Sequence, residues 1–208
     1  NYACNALGTI NPIKEITKIA HAKGAMVFVD AVHYAPHGLI DVQNLDCDFL
    51  VTSVYKYFGP HISAVFAKKK HLQNFSPYKV EPAIDKIPNC WETGTPDFSA
   101  IAAIPATIKY IISLSEKSSP TRKNLELAYQ NITEYENELS RYFLNKVWEL
   151  KHIKVCGVTN TDDVHKRTPT FALIVKNKTS HQVAKYLAKH GIFAWSGHFY
   201  ALDVVREY

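Results

Sequence analysis

Met26-Val27-Phe28-Val29-Asp30-Ala31-Val32-His33 and Asp48-Phe49-Leu50-Val51-Thr52-Ser53-Val54-Tyr55-Lys56-Tyr57-Phe58-Gly59-Pro60 are the two stretches whose reading decides the fold. Each holds a short apolar run, rich in β-branched and aromatic residues, that closes on polar side chains. Val27-Phe28-Val29 ends on Asp30, and Phe49-Leu50-Val51 ends on Thr52, Ser53 and Lys56. Runs of this length and composition read as strands of a parallel sheet buried between helices. Ligands of such sheets bind beyond the carboxyl ends of the strands. Asp30, His33, Ser53, Tyr55 and Lys56 are therefore expected to converge on one crevice.

Outward from this core the punctuation is regular. Asn5-Ala6-Leu7-Gly8 reads as a turn closing a strand, and Pro12 opens a helix with Ile13, Ile16, Ile19 and Ala20 at helical spacing and Gly24 past its end. Asp41 is placed to cap a short helical turn. A third apolar run, Ser63 to Ala67, follows so closely that it is expected to be an antiparallel strand near the sheet edge. Residues 71–89 show no period and read as an irregular surface loop. Asp97 caps a helix reaching to about Leu114, and the serine-rich stretch Ser115 to Thr121 reads as a linker. Beyond it come a long amphipathic helix (123–148), a strand (170–175), a helix (180–190) capped by Ser180 and ended by Gly191, and a strand (192–195). The expected architecture is α/β: a mostly parallel sheet with helices on both faces over residues 1–117, then a small α+β domain over residues 118–208.

The composition excludes several classes. The chain has 208 residues, 47% of them hydrophobic, which is ample for a core. No apolar run approaches the roughly 18 residues of a membrane span. The net charge of +5 is dispersed, and the one cluster, Lys68-Lys69-Lys70, reads as a solvated strand end or helix start, so no nucleic-acid partner is expected. Four widely spaced cysteines, Cys4, Cys47, Cys90 and Cys156, form no metal-binding pair and read as reduced thiols of a cytoplasmic protein. Asn1 opens the chain, Met26 is its sole methionine and Tyr208 closes it inside an amphipathic segment. It reads as a fragment of a longer protein.

The chemistry lies in the pairing of Asp30 with Lys56. Alone, Lys56 is more often a rim lysine, and Asp30 more often a turn cap. Together on neighbouring strand ends they are what pyridoxal 5'-phosphate requires: an amine for the aldehyde, and a carboxylate to keep the pyridine nitrogen protonated so that the ring accepts electrons. Ser53 and Thr95 alone could cap turns, His33 could be a core histidine and Asn5 a turn former.

Four motifs in order, Asn5 to Pro12, Val29 to His33, Ser53 to Lys56, and Glu92-Thr93-Gly94-Thr95-Pro96, give the chain a resemblance to the class V aminotransferase family, fold-type I pyridoxal-phosphate enzymes, and within it to cysteine desulfurase-like members. The resemblance implies that Lys56 is the Schiff-base lysine that also moves the substrate's α-proton. It implies that Asp30 partners the pyridinium, His33 the ring's phenolic oxygen, and Ser53 and Tyr55 the phosphate. Thr95 matches a phosphate ligand donated across a dimer interface, which implies a homodimer. Asn5 matches a residue near the cofactor or the substrate carboxylate. The substrate implied is an amino acid.

One departure redirects the expectation. Where desulfurases carry the cysteine that takes up sulfur, Gly197-His198-Phe199-Tyr200 presents a tyrosine, which cannot hold a persulfide. His198 remains a weak substrate contact. The resemblance thus implies a desulfurase-like enzyme lacking the persulfide cysteine. A kynureninase-like, epimerase or lyase activity is the alternative, as is a non-catalytic relative that keeps only the fold. The phosphate loop, the ring-stacking residue and the carboxylate-binding arginine of the family have no match in the chain, so the fragment by itself is expected to be inactive.

Overall fold

The computed structural model describes residues 1–92 and 94–208. They form two compact units, one of residues 1–2 and 12–131, the other of residues 3–11 and 132–208. The division differs from the expected boundary at residues 117 and 118 in two ways. It falls inside a continuous helix rather than at the serine-rich linker, and the segment Ala3–Asn11 goes with the C-terminal unit.

In the first unit Pro12 precedes helix α1 (Ile13–His21), and Gly24 takes a left-handed φ of 72° just beyond its end. Strand β1 (Phe28–Asp30) pairs in parallel with β2 (Phe49–Ser53), Asp30 opposite Val51. The connection carries helix α2 (Val42–Leu45), whose cap is Asp41 as expected; its carboxylate accepts from the amides of Gln43 and Asn44, both at 3.0 Å. Strand β3 (Ser63–Ala67) pairs antiparallel with β2, giving the order β1-β2-β3. Val29 and Leu50, on one face of this sheet, join Ile13, Ala31, Leu45 and Cys47 in the core. Each large aliphatic side chain so buried contributes about 1.5–3 kcal/mol. The face carrying Phe28 and Val65 is open.

At the amino-terminal end of β2 a buried carboxylate gathers three elements. Asp48 accepts from His21 Nε2 of α1 at 2.8 Å, from the Val27 amide at 2.9 Å, and from His71 Nε2 at 2.7 Å. His71 lies on helix α3 (Lys69–Asn74), which opens the stretch expected to be irregular. The lysine cluster is thus a helix start, and Lys68 in front of it pairs with Asp46 and lies 3.6 Å from Asp48. Helix α4 (Phe98–Ser113) is capped by Asp97, whose carboxylate accepts from the Ala100 amide at 2.9 Å. Helix α5 (Arg122–Trp148) runs through the division, belonging to the first unit up to Asn131 and to the second from Ile132. Tyr129 on its first part donates to the Ala35 carbonyl at 2.8 Å, fixing the loop that follows β1.

The second unit is built on Arg167. Its buried guanidinium donates to the carbonyls of Val158, Leu7 (3.3 Å), Thr168 (3.3 Å) and Thr170 (2.5 Å), and lies 4.0 Å from the centroid of the Phe171 ring. This network, with bridges Ala3–Ile10 and Thr9–Arg167, attaches the amino-terminal segment. Gly8 has a left-handed φ of 77°, and a Cβ there would come within 2.6 Å of the Thr170 carbonyl. The close approach of two backbones is therefore open to glycine alone. Strands β4 (Ile153–Val155) and β5 (Leu173–Val175) pair antiparallel. Helix α6 (Ser180–Ala188) has its cap one residue earlier than expected: Thr179, not Ser180, in a reciprocal capping box with Gln182. Residues 192–195 are not a strand. The Ile192 amide is taken by Leu187 at the end of α6, Phe193 and Trp195 are exposed, and among the described residues the segment finds no ladder partner. Helix α7 (Leu202–Glu207) follows. No helix among the described residues is long and apolar enough to cross a membrane.

Candidate active site

The carboxyl ends of β1 and β2 lie side by side, tied by the Ala31 amide donating to the Val51 carbonyl at 2.9 Å. Past Ser53 the chain turns through a single 3₁₀ turn, Val54–Tyr57. The turn is pinned from below. Val54 is fully buried, its amide donates to the Ile62 carbonyl at 2.8 Å, and its carbonyl accepts from the Gly59 amide at 3.0 Å. A Cβ at Gly59 would run into the Val54 side chain and sit 2.7 Å from Thr107 Oγ1, so a glycine is needed where this loop meets α4. Tyr55 and Lys56 are left exposed on the turn. Lys56 Nζ lies 5.6 Å from the centroid of the Tyr55 ring, and among the described residues it has no carboxylate partner. Thr52 Oγ1 and Tyr57 Oη are 3.1 Å apart, and Ser53 Oγ is 3.5 Å from Ser63 Oγ.

At the end of β1 the backbone carbonyl of Asp30 accepts from the Tyr2 amide at 2.7 Å, and its Oδ1 accepts from the Val32 amide at 2.9 Å. The side chain thus caps the turn that carries His33. His33 ties the group together electrostatically. Burial lowers its pKa to about 4, the charges of His37 and Lys56 push the same way, and Asp30 opposes them. The imidazole is neutral at pH 7, so it can donate an N–H without carrying charge. An NMR titration of the histidine Cε1 protons is expected to show one midpoint near 4, absent in His33→Ala; a His33 midpoint at the ordinary 6.5 would remove the argument.

The remaining expected residues are carried by other segments. Thr95 is exposed, two residues before the Asp97 cap of α4, and Thr93 of the same motif lies outside the described residues. Asn5 and His198 are in the second unit. The Asn5 side-chain amide donates to the Phe199 carbonyl at 2.9 Å, and His198 Nδ1 accepts from the Tyr200 amide at 3.1 Å. Phe199 and Tyr200 both take left-handed φ values, 49° and 62°, and Tyr200 is 99% exposed. Asn5 is thus a strut for the loop bearing His198 and Tyr200. That loop is held in a backbone conformation rarely adopted by residues with side chains.

Two features escaped the sequence reading. Arg167 is one: Arg167-Thr168-Pro169 ahead of a strand gives no sign that the arginine is buried. His61 is the other, and its ring lies parallel to that of Tyr55, centroids 4.6 Å apart with 5° between planes. A histidine so near the lysine turn was a discoverable signal.

The family model described as aminotransferase class-V matches residues 1–206. A probable cysteine desulfurase of Halalkalibacterium halodurans is 30% identical over 217 aligned residues, which cover 99% of this chain and 49% of that protein. A probable cysteine desulfurase of Borreliella burgdorferi is 34% identical over 209, covering 93% and 46%. The solved apo structure of the cysteine desulfurase of Thermococcus onnurineus superposes with a TM-score of 0.84 at 27% identity, over 99% of this chain and 50% of that one. The chain spans about half the length of the relatives it matches. With the matched model running almost end to end and the expected α/β architecture in place, the chain belongs to the aminotransferase class-V family, among its cysteine desulfurase-like members.

Proposed function

We propose that the whole protein is a pyridoxal-phosphate enzyme acting on an amino acid by way of Lys56, and that its reaction does not pass through a cysteine persulfide. The observation that carries this reading is the exposed Lys56 amine beside the ends of β1 and β2, on a turn whose fold is held by buried Val54, with a neutral His33 that senses both Lys56 and Asp30. This donor set fits the cofactor. An amine, a carboxylate, a neutral imidazole and the hydroxyls of Ser53 and Tyr55 are what its aldehyde, ring nitrogen, phenolic oxygen and phosphate each call for.

The cofactor, when bound, supplies an electron sink for charge developing at the amino acid's α-carbon. Lys56 Nζ would hold the cofactor's aldehyde carbon and, once displaced there by the substrate's amine, would be free to take the α-proton. Asp30 would accept the hydrogen of the pyridine nitrogen, and His33 would donate to the phenolic oxygen. Ser53 and Tyr55 would donate to the phosphate, and Thr95 would serve the same group in a neighbouring subunit of a homodimer. Asn5 holds the Phe199 carbonyl of the loop that carries His198, the candidate substrate contact. Tyr200, in place of a sulfur-accepting cysteine, favours elimination, epimerisation or carbon–carbon cleavage over desulfuration. A cytoplasmic location belongs to the same reading and is supported by the buried free thiols Cys47, Cys90 and Cys156.

The test is direct. The whole protein, incubated with pyridoxal phosphate and reduced with borohydride, is expected to carry the label on the peptide containing Lys56 when digested and sequenced by mass spectrometry. A folded protein that takes no label, or takes it on another lysine, sinks the reading.

A further inference from the structure

The His61 ring has no role in the site as set out above, yet it is the closest aromatic partner of a residue that does. Loop closure explains its position. The Val54 amide donates to the Ile62 carbonyl and the Ile62 amide to the Pro60 carbonyl, both at 2.8 Å. These two bonds fold the segment after Gly59 back against the lysine turn and set residue 61 against residue 55. The result is a face-to-face pair, centroids 4.6 Å apart and planes within 5°. Tyr55 is 45% exposed, and its hydroxyl makes no hydrogen bond among the described residues. An exposed phenol without a partner samples several rotamers; one stacked on a backbone-anchored imidazole is confined. Confinement before binding removes the cost of ordering the side chain when a ligand arrives.

We infer that His61 is a positioning residue for the phosphate end of the cofactor site: by stacking on Tyr55 it pre-sets the phenol to donate to a phosphate. This rests on the cofactor reading above and adds to it a residue outside the ligating set. The His61 ring stacks on Tyr55 alone of the proposed cofactor ligands, Lys56 Nζ lying 5.6 Å from the centroid of the Tyr55 ring, so its loss is expected to act on phosphate affinity before ring affinity.

The experiment titrates the whole protein with pyridoxal phosphate and, separately, with pyridoxal, which has the ring and aldehyde but no phosphate. It compares wild type, His61→Ala and His61→Phe. His61→Ala is expected to weaken pyridoxal phosphate by about threefold to tenfold and to leave pyridoxal unchanged. His61→Phe, which keeps a stacking ring, is expected to restore wild-type affinity. Equal weakening of both ligands by His61→Ala, or no weakening of either, overturns the assignment. So does a His61→Phe variant as weak as the alanine, which would make the imidazole a direct phosphate ligand. His61→Gln serves in place of alanine should that variant not fold, with the same expected split. A wild-type protein that takes up pyridoxal phosphate while the variants show no split overturns the His61 role alone. One that takes up neither ligand overturns the cofactor reading together with this role.

Discussion

Replacing Lys56 by alanine is expected to remove borohydride-stable labelling by pyridoxal phosphate and to lower exchange of the substrate's α-proton by about 10²- to 10⁴-fold, the usual share of a positioned acid–base group. The fold should survive the change. Lys56 is exposed, has no carboxylate partner among the described residues, and stands on a turn whose stability comes from Val54, Gly59 and the Val54–Ile62 hydrogen bond. Its removal should therefore shift stability by no more than about 0.5 kcal/mol. Lys56→Arg is expected to be as inactive as the alanine variant, since a guanidinium keeps its proton and can act neither as nucleophile nor as base. The measurement is α-deuterium exchange followed by NMR over a panel of amino acids in the loaded whole protein. A Lys56→Ala variant that exchanges at the wild-type rate would move the chemistry to another residue.

What was legible in the sequence was what local physics decides. The two strands with polar ends, the Asp41 and Asp97 caps and the antiparallel third strand follow from side-chain period, cap chemistry and spacing, and each stands where it was expected. That the carboxyl ends of β1 and β2 lie side by side was legible for the same reason, because parallel strands present those ends together. Features decided by distant contacts were not legible. Ala3–Asn11 belongs with residues 132–208 because a buried arginine far along the chain takes the Leu7 carbonyl, and nothing near Leu7 announces that. Residues 192–195 have the composition of a strand, but a strand exists only where a neighbour offers its ladder. The Asn5 side chain donates to the Phe199 carbonyl, and nothing near Asn5 in the sequence announces that partner.

Asp48 belongs with these unread features, since an aspartate before a strand looks like a turn residue, and its replacement by asparagine is expected to have the largest effect on stability. The side chain is almost wholly buried, and desolvation alone would raise its pKa. Hydrogen bonds from His21, the Val27 amide and His71, with the charge of Lys68, outweigh that and hold the carboxyl far below its ordinary 3.8. Asparagine can accept on one side only, so one imidazole loses its acceptor and Lys68 loses a nearby anion while Asp46 stays exposed beside it. Losing a hydrogen bond to a buried charged acceptor of this kind costs about 1.5–3 kcal/mol. The pH dependence has a definite sign. A carboxylate whose folded-state pKa is depressed contributes stability that is fully present above its unfolded value of 3.8 and is lost as pH falls through the folded-state value. In urea unfolding, the gap between wild type and Asp48→Asn should therefore be constant from about pH 7 to about pH 5 and narrow only below about pH 4. A gap that changes between about pH 7 and about pH 5 would show that ionisation of this carboxylate does not set the difference, because a carboxyl of ordinary or depressed pKa does not titrate in that window.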